Sequence, residues 1–154
     1  VGSEMCIRDR VMAAQRDRVQ ELKDADPPVT KLPQLCVIID DMLHETAHSK
    51  VLDNLFARGR HFGVNVFAGS QLYKGLSAAC RKNADILTIH RLPTAEYLAV
   101  EEELAGTWVT KQQLREIYEM AVGAHPYGFL TVRLKSKAPR KMFYADFYKR
   151  LVPH

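Results

Sequence analysis

Apolar positions in this chain change rhythm several times, and each change predicts an element. Val11, Met12, Val19 and Leu22 stand apart among many charges, the spacing of an exposed, weakly amphipathic helix over 11–26 that Asp26-Pro27-Pro28 ends. Gln34-Leu-Cys-Val-Ile-Ile-Asp-Asp41 is a short β-branched run that stops abruptly in two carboxylates, as a central strand buried on both faces of a parallel sheet would. Val51, Leu52, Leu55 and Phe56 recur at helical spacing and predict a helix over 46–61, with Gly63 as its stop. A second apolar run over 64–68 follows, then the polar turn Gly69-Ser70-Gln71. Strand, helix and strand in that order are the parallel crossover unit. A helix over 72–80 then leads to Asp85-Ile-Leu-Thr-Ile-His90, expected as the next parallel strand. Two helices come next, over 94–105 with Gly106 after it and over 111–122 with Gly123 after it. Thr110 and Gln113 have the spacing of a capping box at the start of the second. Alternation over 129–134 and 142–147, on either side of a Lys/Pro/Arg-rich turn, predicts a terminal hairpin. The fold class is α/β.

At 154 residues and 47% hydrophobic content the chain is about one domain with a sizeable core, which excludes wholesale disorder. Its apolar runs, such as 35–39, fall far short of a membrane span, and no secretory leader pattern opens it, so a soluble intracellular protein is the expectation. Cys6, Cys36 and Cys80, odd in number and widely spaced, are expected to be reduced thiols. The opening Val1-Gly-Ser-Glu-Met-Cys-Ile-Arg-Asp-Arg10 resembles a translated sequencing adapter, so residues 1–10 are set aside and 11–154 are taken as the domain, with coding sequence expected upstream. Without those ten residues 20 Lys+Arg face 16 Asp+Glu, and the net charge of +4 is unchanged. So mild an excess fits a solvated surface and is also compatible with nucleic acid.

Candidate chemistry gathers at the ends of the first two strands. Parallel α/β sheets carry their sites at the carboxyl ends of strands, and Leu35-Cys-Val-Ile-Ile-Asp40-Asp41 delivers two acids there, the form of a Walker B element. In nucleotide hydrolysis the first acid holds magnesium, and the second orients or deprotonates the attacking water. An apolar strand followed by two surface acids is the plainer alternative. Gln71, beside Ser70 at the end of the second run, carries an amide suited to a γ-phosphate or a lytic water, and equally to capping a turn. Arg58 and Arg60 end the helix between the strands. A guanidinium there can act as an arginine finger on a neighbouring subunit's nucleotide, or simply complement the helix dipole. Arg81 and Asn83 form a second polar pair, or a capped loop.

Taken together, Leu35-Cys-Val-Ile-Ile-Asp-Asp41, Leu55-Phe-Ala-Arg-Gly-Arg-His-Phe-Gly-Val-Asn-Val-Phe-Ala-Gly-Ser-Gln71 and Arg81-Lys-Asn-Ala-Asp85 resemble the HerA/FtsK superfamily of P-loop ATPases. The similarity is greatest to its viral branch, the poxvirus-type genome-packaging ATPases of large DNA viruses. It covers roughly 35–91, and Tyr127-Gly-Phe-Leu agrees with the strand that closes such domains. The resemblance implies a RecA-like three-layer parallel sheet of the ASCE type, represented by its carboxyl-terminal portion and ending in a β-hairpin. It implies Asp40 as the magnesium acid, Asp41 as the catalytic acid and Gln71 as the sensor glutamine. Arg60 is the first finger candidate, Arg58 the second, and Arg81 a third phosphate-facing arginine. ATP and Mg2+ are the implied ligands. Double-stranded DNA, a homo-oligomeric hexameric ring and a capsid or portal-vertex protein are the implied partners, and the implied locations are the viral factory in the host cytoplasm and the virion. None of the eight glycines opens the ending of GxxxxGK[ST], so the phosphate loop is expected upstream and this fragment is expected to be inactive alone. A cellular or plasmid HerA/FtsK-type translocase would look alike. A non-hydrolysing DNA-binding or ring-scaffold domain is the alternative of another class.

Three further constellations weigh less. Asp40, Asp41 and Glu45 could form a two-metal nuclease site, but they are not spread over distant strands. His44, Glu45 and His48 invite a metal reading, against which solvent-facing histidines at a helix entrance are expected. Trp108, Tyr118, Tyr127, Phe143, Tyr144, Phe147 and Tyr148 are expected in the core rather than as base-stacking groups. Residues 133–150 carry Arg133, Lys135, Lys137, Arg140, Lys141, Lys149 and Arg150 against Asp146 alone, a local +6. Such a turn suits either the DNA backbone or the protection of an edge strand.

Overall fold

The computed structural model describes residues 2–25, 33–40, 49–106 and 109–153, with side chains from Arg10 onward. The chain is mixed α/β, with a two-stranded parallel sheet and a four-stranded antiparallel sheet. It divides into two compact units, residues 1–71 with 75–83, and residues 72–74 with 84–154.

The first unit holds α1 (Gly2–Asp24), β1 (Leu35–Ile39), α2 (Lys50–Arg58), β2 (Val64–Ala68) and α3 (Ala78–Asn83). Helix α1 starts inside the decapeptide set aside above, where no proline or interior glycine interrupts it. β1 and β2 pair in parallel from Leu35↔Val64 to Ile39↔Ala68. Leu52 and Leu55, three apart on α2, share one face and pack with Val64 and Cys80 beneath the strands. A 3-10 turn over Gly59–Phe62 continues α2 to Gly63, whose φ of +66° closes it. A β-carbon there would lie 2.9 Å from the Pro33 carbonyl oxygen, so both the conformation and the space demand glycine. Gln15 of α1 donates from Nε2 to the carbonyls of Pro33 and Phe62, both at 3.0 Å, tying the helix to the start of each strand.

Burial of β1 on both faces is corrected. Leu35, Val37 and Ile39 pack toward α2, while Ile38 is 75% exposed and its cross-strand neighbour Phe67 is 62% exposed. The side-chain period of two sends alternate residues to opposite faces, and within this unit the helical packing serves one of them.

The second unit contains β3 (Ile86–Ile89), α4 (Thr94–Leu104), α5 (Lys111–Gly123), β4 (Leu130–Arg133), β5 (Phe143–Ala145) and β6 (Lys149–Leu151). The sheet order is β3-β4-β5-β6, every pair antiparallel. The pairing corrects the expectation that 85–90 continues the parallel ladder: β3 pairs with β4, Ile86 opposite Arg133. Its residues alternate, Ile86 and Thr88 exposed and Ile89 buried, the habit of a strand with one face packed. Val100, Leu114, Ile117, Leu130, Val132 and Phe143 form the heart of the core. Tyr97 and Tyr118 stack at 4.4 Å, and buried Glu101 meets Arg115 at 2.9 Å between α4 and α5. The capping box stands as expected: Gln113 N donates to Thr110 Oγ1 at 3.2 Å and Thr110 N donates to Gln113 Oε1 at 3.0 Å.

The hairpin over β4 and β5 forms, but its second arm is shorter than the alternation suggested. Asp146 adopts φ +53° and turns the chain into β6, and its Oδ2 lies 3.1 Å from His125 Nε2. A short polar side chain tolerates that left-handed conformation better than most. Of the aromatic group expected in the core, Tyr118 and Phe143 are buried. Tyr127 is 83% exposed, Tyr148 80% and Phe147 62%, since all three sit in turns. Trp108 lies outside the described residues. No described helix is long and apolar enough to cross a membrane.

Candidate functional site

The site lies within the first unit and follows from its crossover. Helix α2 carries the chain from the carboxyl end of β1 back to the amino end of β2, so both strands point their carboxyl ends the same way. The last rung pairs Ile39 with Ala68, and Gly69 N donates to the Ile39 carbonyl at 2.8 Å. Beyond that rung Asp40 leaves β1 while Gly69, Ser70 and Gln71 leave β2, and these four residues line a hollow of about 270 Å³. A carboxylate, a hydroxyl and an amide thus share one rim, from positions some thirty apart in sequence. The set suits a hard cation and the orientation of a phosphate or a water.

Of the remaining predicted residues, Arg58, Arg60 and Arg81 lie elsewhere in this unit. Asp41, His44, Glu45 and His48 lie outside the described residues. The order His44-Glu45-Thr46-Ala47-His48 is also the His-Glu-x-x-His spacing of zinc hydrolases, a match that the expectation of solvent-facing histidines does not account for. Arg58 ends α2 and Arg60 stands exposed in the 3-10 turn before β2. Both are therefore at the amino ends of the strands, about 16 Å of strand length from the Asp40 rim. Arg81, on α3, donates through its guanidinium to the Leu76 carbonyl, and Asn83 donates from Nδ2 to Ala79 O at 2.8 Å. These two contacts are those of a capped loop, and neither residue lines the hollow.

One polar cluster was not anticipated. Ser77 Oγ and Cys80 Sγ both donate to Asp53 Oδ1, the thiol at 3.3 Å, while Cys80 N donates to Ser77 Oγ at 3.1 Å and caps α3. The signal was present in the sequence: Asp53 falls beside Leu52 on the helix, and Ser77 stands three before Cys80, the N-cap spacing. The cluster fastens α3 to α2. Ser77 also breaks the helix expected over 72–80 into a 3-10 turn, Tyr73–Gly75, and α3.

Burial pushes the Cys80 thiol up from 9.0 to about 11, with the Asp53 carboxylate adding to the rise. Between those values the unfolded thiol has lost its proton and the folded one retains it, so the folded state binds more protons. Stability from this group is full below pH 9.0 and is lost as the pH climbs through about 11. Urea unfolding at stepped pH is expected to show the native protein losing stability over that window faster than Cys80→Ala; parallel curves would refute it. Scanned against protein-family models and searched against curated proteins, the chain matches none of them.

Proposed function

We propose that this chain is the carboxyl-terminal portion of a RecA-like, three-layer ATPase domain that moves double-stranded DNA, in the manner of the genome-packaging ATPases it resembles. The observation that carries this reading is the shared hollow of Asp40 and Gln71 at the carboxyl ends of two paired parallel strands. Two others support it. Ile38 and Phe67 stand exposed on the second face of the parallel ladder, a face that three-layer folds cover with helices. Arg58 and Arg60 are at the wrong end of the strands to serve their own chain's hollow, which suits fingers that act on a neighbouring subunit in a ring.

The residues present fit magnesium. Asp40 and Ser70 offer oxygen donors, which water and phosphate would supplement around the cation. When bound, Mg2+ neutralises charge on the terminal phosphates. Asp40 would hold the cation, Asp41 would accept the proton of the attacking water, and Gln71 would donate its amide to the γ-phosphate or to that water. The reading requires a phosphate loop, a motif that these 154 residues do not contain. The test is Mg2+-dependent ATP turnover by the protein that includes that loop, measured with and without duplex DNA. DNA-stimulated turnover is expected; its complete absence overturns the reading.

A further inference from the structure

The antiparallel sheet of the second unit packs one face into the core; on its other face Thr131 is buried at the centre, while Ile86, Thr88, Arg133 and Arg150 around it are exposed. Leu87, Ile89, Leu130, Val132, Phe143 and Leu151 point into the core. Cross-strand partners share a face, so Ile86, Arg133, Tyr144 and Arg150 lie on the other side through the pairs Ile86↔Arg133, Thr131↔Tyr144 and Tyr144↔Arg150. Arg133 and Arg150 are exposed there. They lie two strands apart, about 10 Å, with Tyr144 on the strand between them.

The Arg133 guanidinium sits 4.3 Å from the centre of the Tyr144 ring. Stacking of that kind holds the planar fork in place and leaves its N–H groups for an anion. At the same end of the sheet the β4–β5 turn closes on a hollow of about 350 Å³ lined by Asp85, Ile86, Arg133, Lys135, Ser136 and Lys141. The turn is internally braced. Ser136 N donates to Arg133 O at 3.1 Å, Ser136 Oγ to Ala138 O at 2.9 Å and Lys141 N to Ala138 O at 2.9 Å. Cations fixed on a braced frame meet a polyanion with little ordering cost.

From this we infer that the exposed margin of this second sheet face and the β4–β5 turn hold the phosphate backbone of double-stranded DNA, with Arg133, Lys141 and Arg150 as the principal contacts. The inference deepens the function proposed above and rests on it for the kind of partner, although the contact itself requires neither nucleotide nor Asp40. A row of cations across the strands matches a linear polyanion better than the lateral spread of a lipid surface. Because Arg133 covers Tyr144, the surface grips backbone rather than stacking bases, so binding is independent of sequence.

The test is fluorescence anisotropy of a short labelled duplex with the full chain, without nucleotide, over a range of salt concentrations. Affinity is expected to fall linearly on a log–log salt plot. Arg133→Ala/Lys141→Ala should weaken binding roughly tenfold and reduce the slope by about 2. Arg16→Ala/Arg18→Ala, which removes the same charge from α1, should stay within about twofold of the native protein. Should Arg133→Ala/Lys141→Ala lower the melting temperature, Lys141→Ala/Arg150→Ala, on exposed positions that leave the Arg133–Tyr144 stack intact, decides the matter by the same criterion. Equal losses in sheet-face and α1 variants would overturn the inference, as would binding to phosphatidylserine vesicles with none to duplex. Neither result would touch the Asp40–Gln71 reading, which is measured through nucleotide.

Discussion

Asp41→Asn, introduced into the protein that carries its phosphate loop, is expected to lower ATP turnover by ~10²–10⁴-fold, the usual contribution of a positioned general base. Nucleotide affinity should stay within a few-fold of the native value. The replacement keeps the size of the side chain and removes its ability to take a proton, and leaves Asp40, the proposed cation ligand, untouched. A loss confined to kcat is therefore the signature of a group that acts in the transition state. Asp40→Asn makes the complementary case, since its loss should weaken Mg2+-dependent nucleotide binding itself. Turnover of Asp41→Asn close to the native rate would remove that residue from the account.

Arg60→Ala should have an effect of similar or greater size, ~10³–10⁵-fold in kcat, if its guanidinium meets the charge that develops on a neighbouring subunit's phosphate. The geometry makes the prediction specific. Arg60 lies at the amino end of β2 and Gln71 just beyond its carboxyl end, so the finger and the hollow of one chain cannot meet across the strand between them. Mixed assemblies supply the test. Subunits with Arg60→Ala keep an intact site but lack the proposed finger, and subunits with Asp41→Asn keep that arginine but lack the proposed catalytic acid. Mixing two inactive proteins should restore a measurable fraction of the activity. Arg58→Ala should be milder, because Arg58 closes α2 and contributes to its carboxyl-terminal charge in either case. Failure of every mixing ratio to restore turnover would argue against an arginine acting between subunits.

What was legible in the sequence was local. The β-branched run over Leu35–Ile39 is a strand, Gly63 ends the segment after α2 in the left-handed conformation, and Thr110 with Gln113 caps α5; each follows from a few neighbouring residues. The parallel pairing of β1 with β2 was legible as well, because a helix between two short apolar runs leaves few other arrangements. Partner choice over longer distances was not. Ile86–Ile89 has the same β-branched character and the same one-sided burial as β1, and its partner β4 lies some forty residues further along the chain, so nothing local sets the direction of pairing. The aromatic residues near the end of the chain share a two-residue rhythm with β5, but Asp146 reverses the backbone and carries Tyr148 into solvent.

The candidate site divides in the same way. Asp40 and Gln71 were readable because strand ends in a parallel crossover converge by topology, whatever else the fold does. Arg81 was not, since nothing in Arg81-Lys-Asn-Ala-Asp85 indicates that the guanidinium turns back to the Leu76 carbonyl. The Asp53–Ser77–Cys80 cluster joins residues on two helices, and their spacing becomes meaningful only once those helices pack.

The central claim is that Asp40 and Gln71 surround one nucleotide-bound cation. Paramagnetic broadening of the amide resonances of this chain, within the protein that carries the phosphate loop and titrated with Mn2+ and ATP, tests it at those atoms. The account predicts selective loss of the Asp40, Gly69, Ser70 and Gln71 signals, abolished together by Asp40→Asn. Broadening centred on another part of the chain, or unchanged by that substitution, would contradict it.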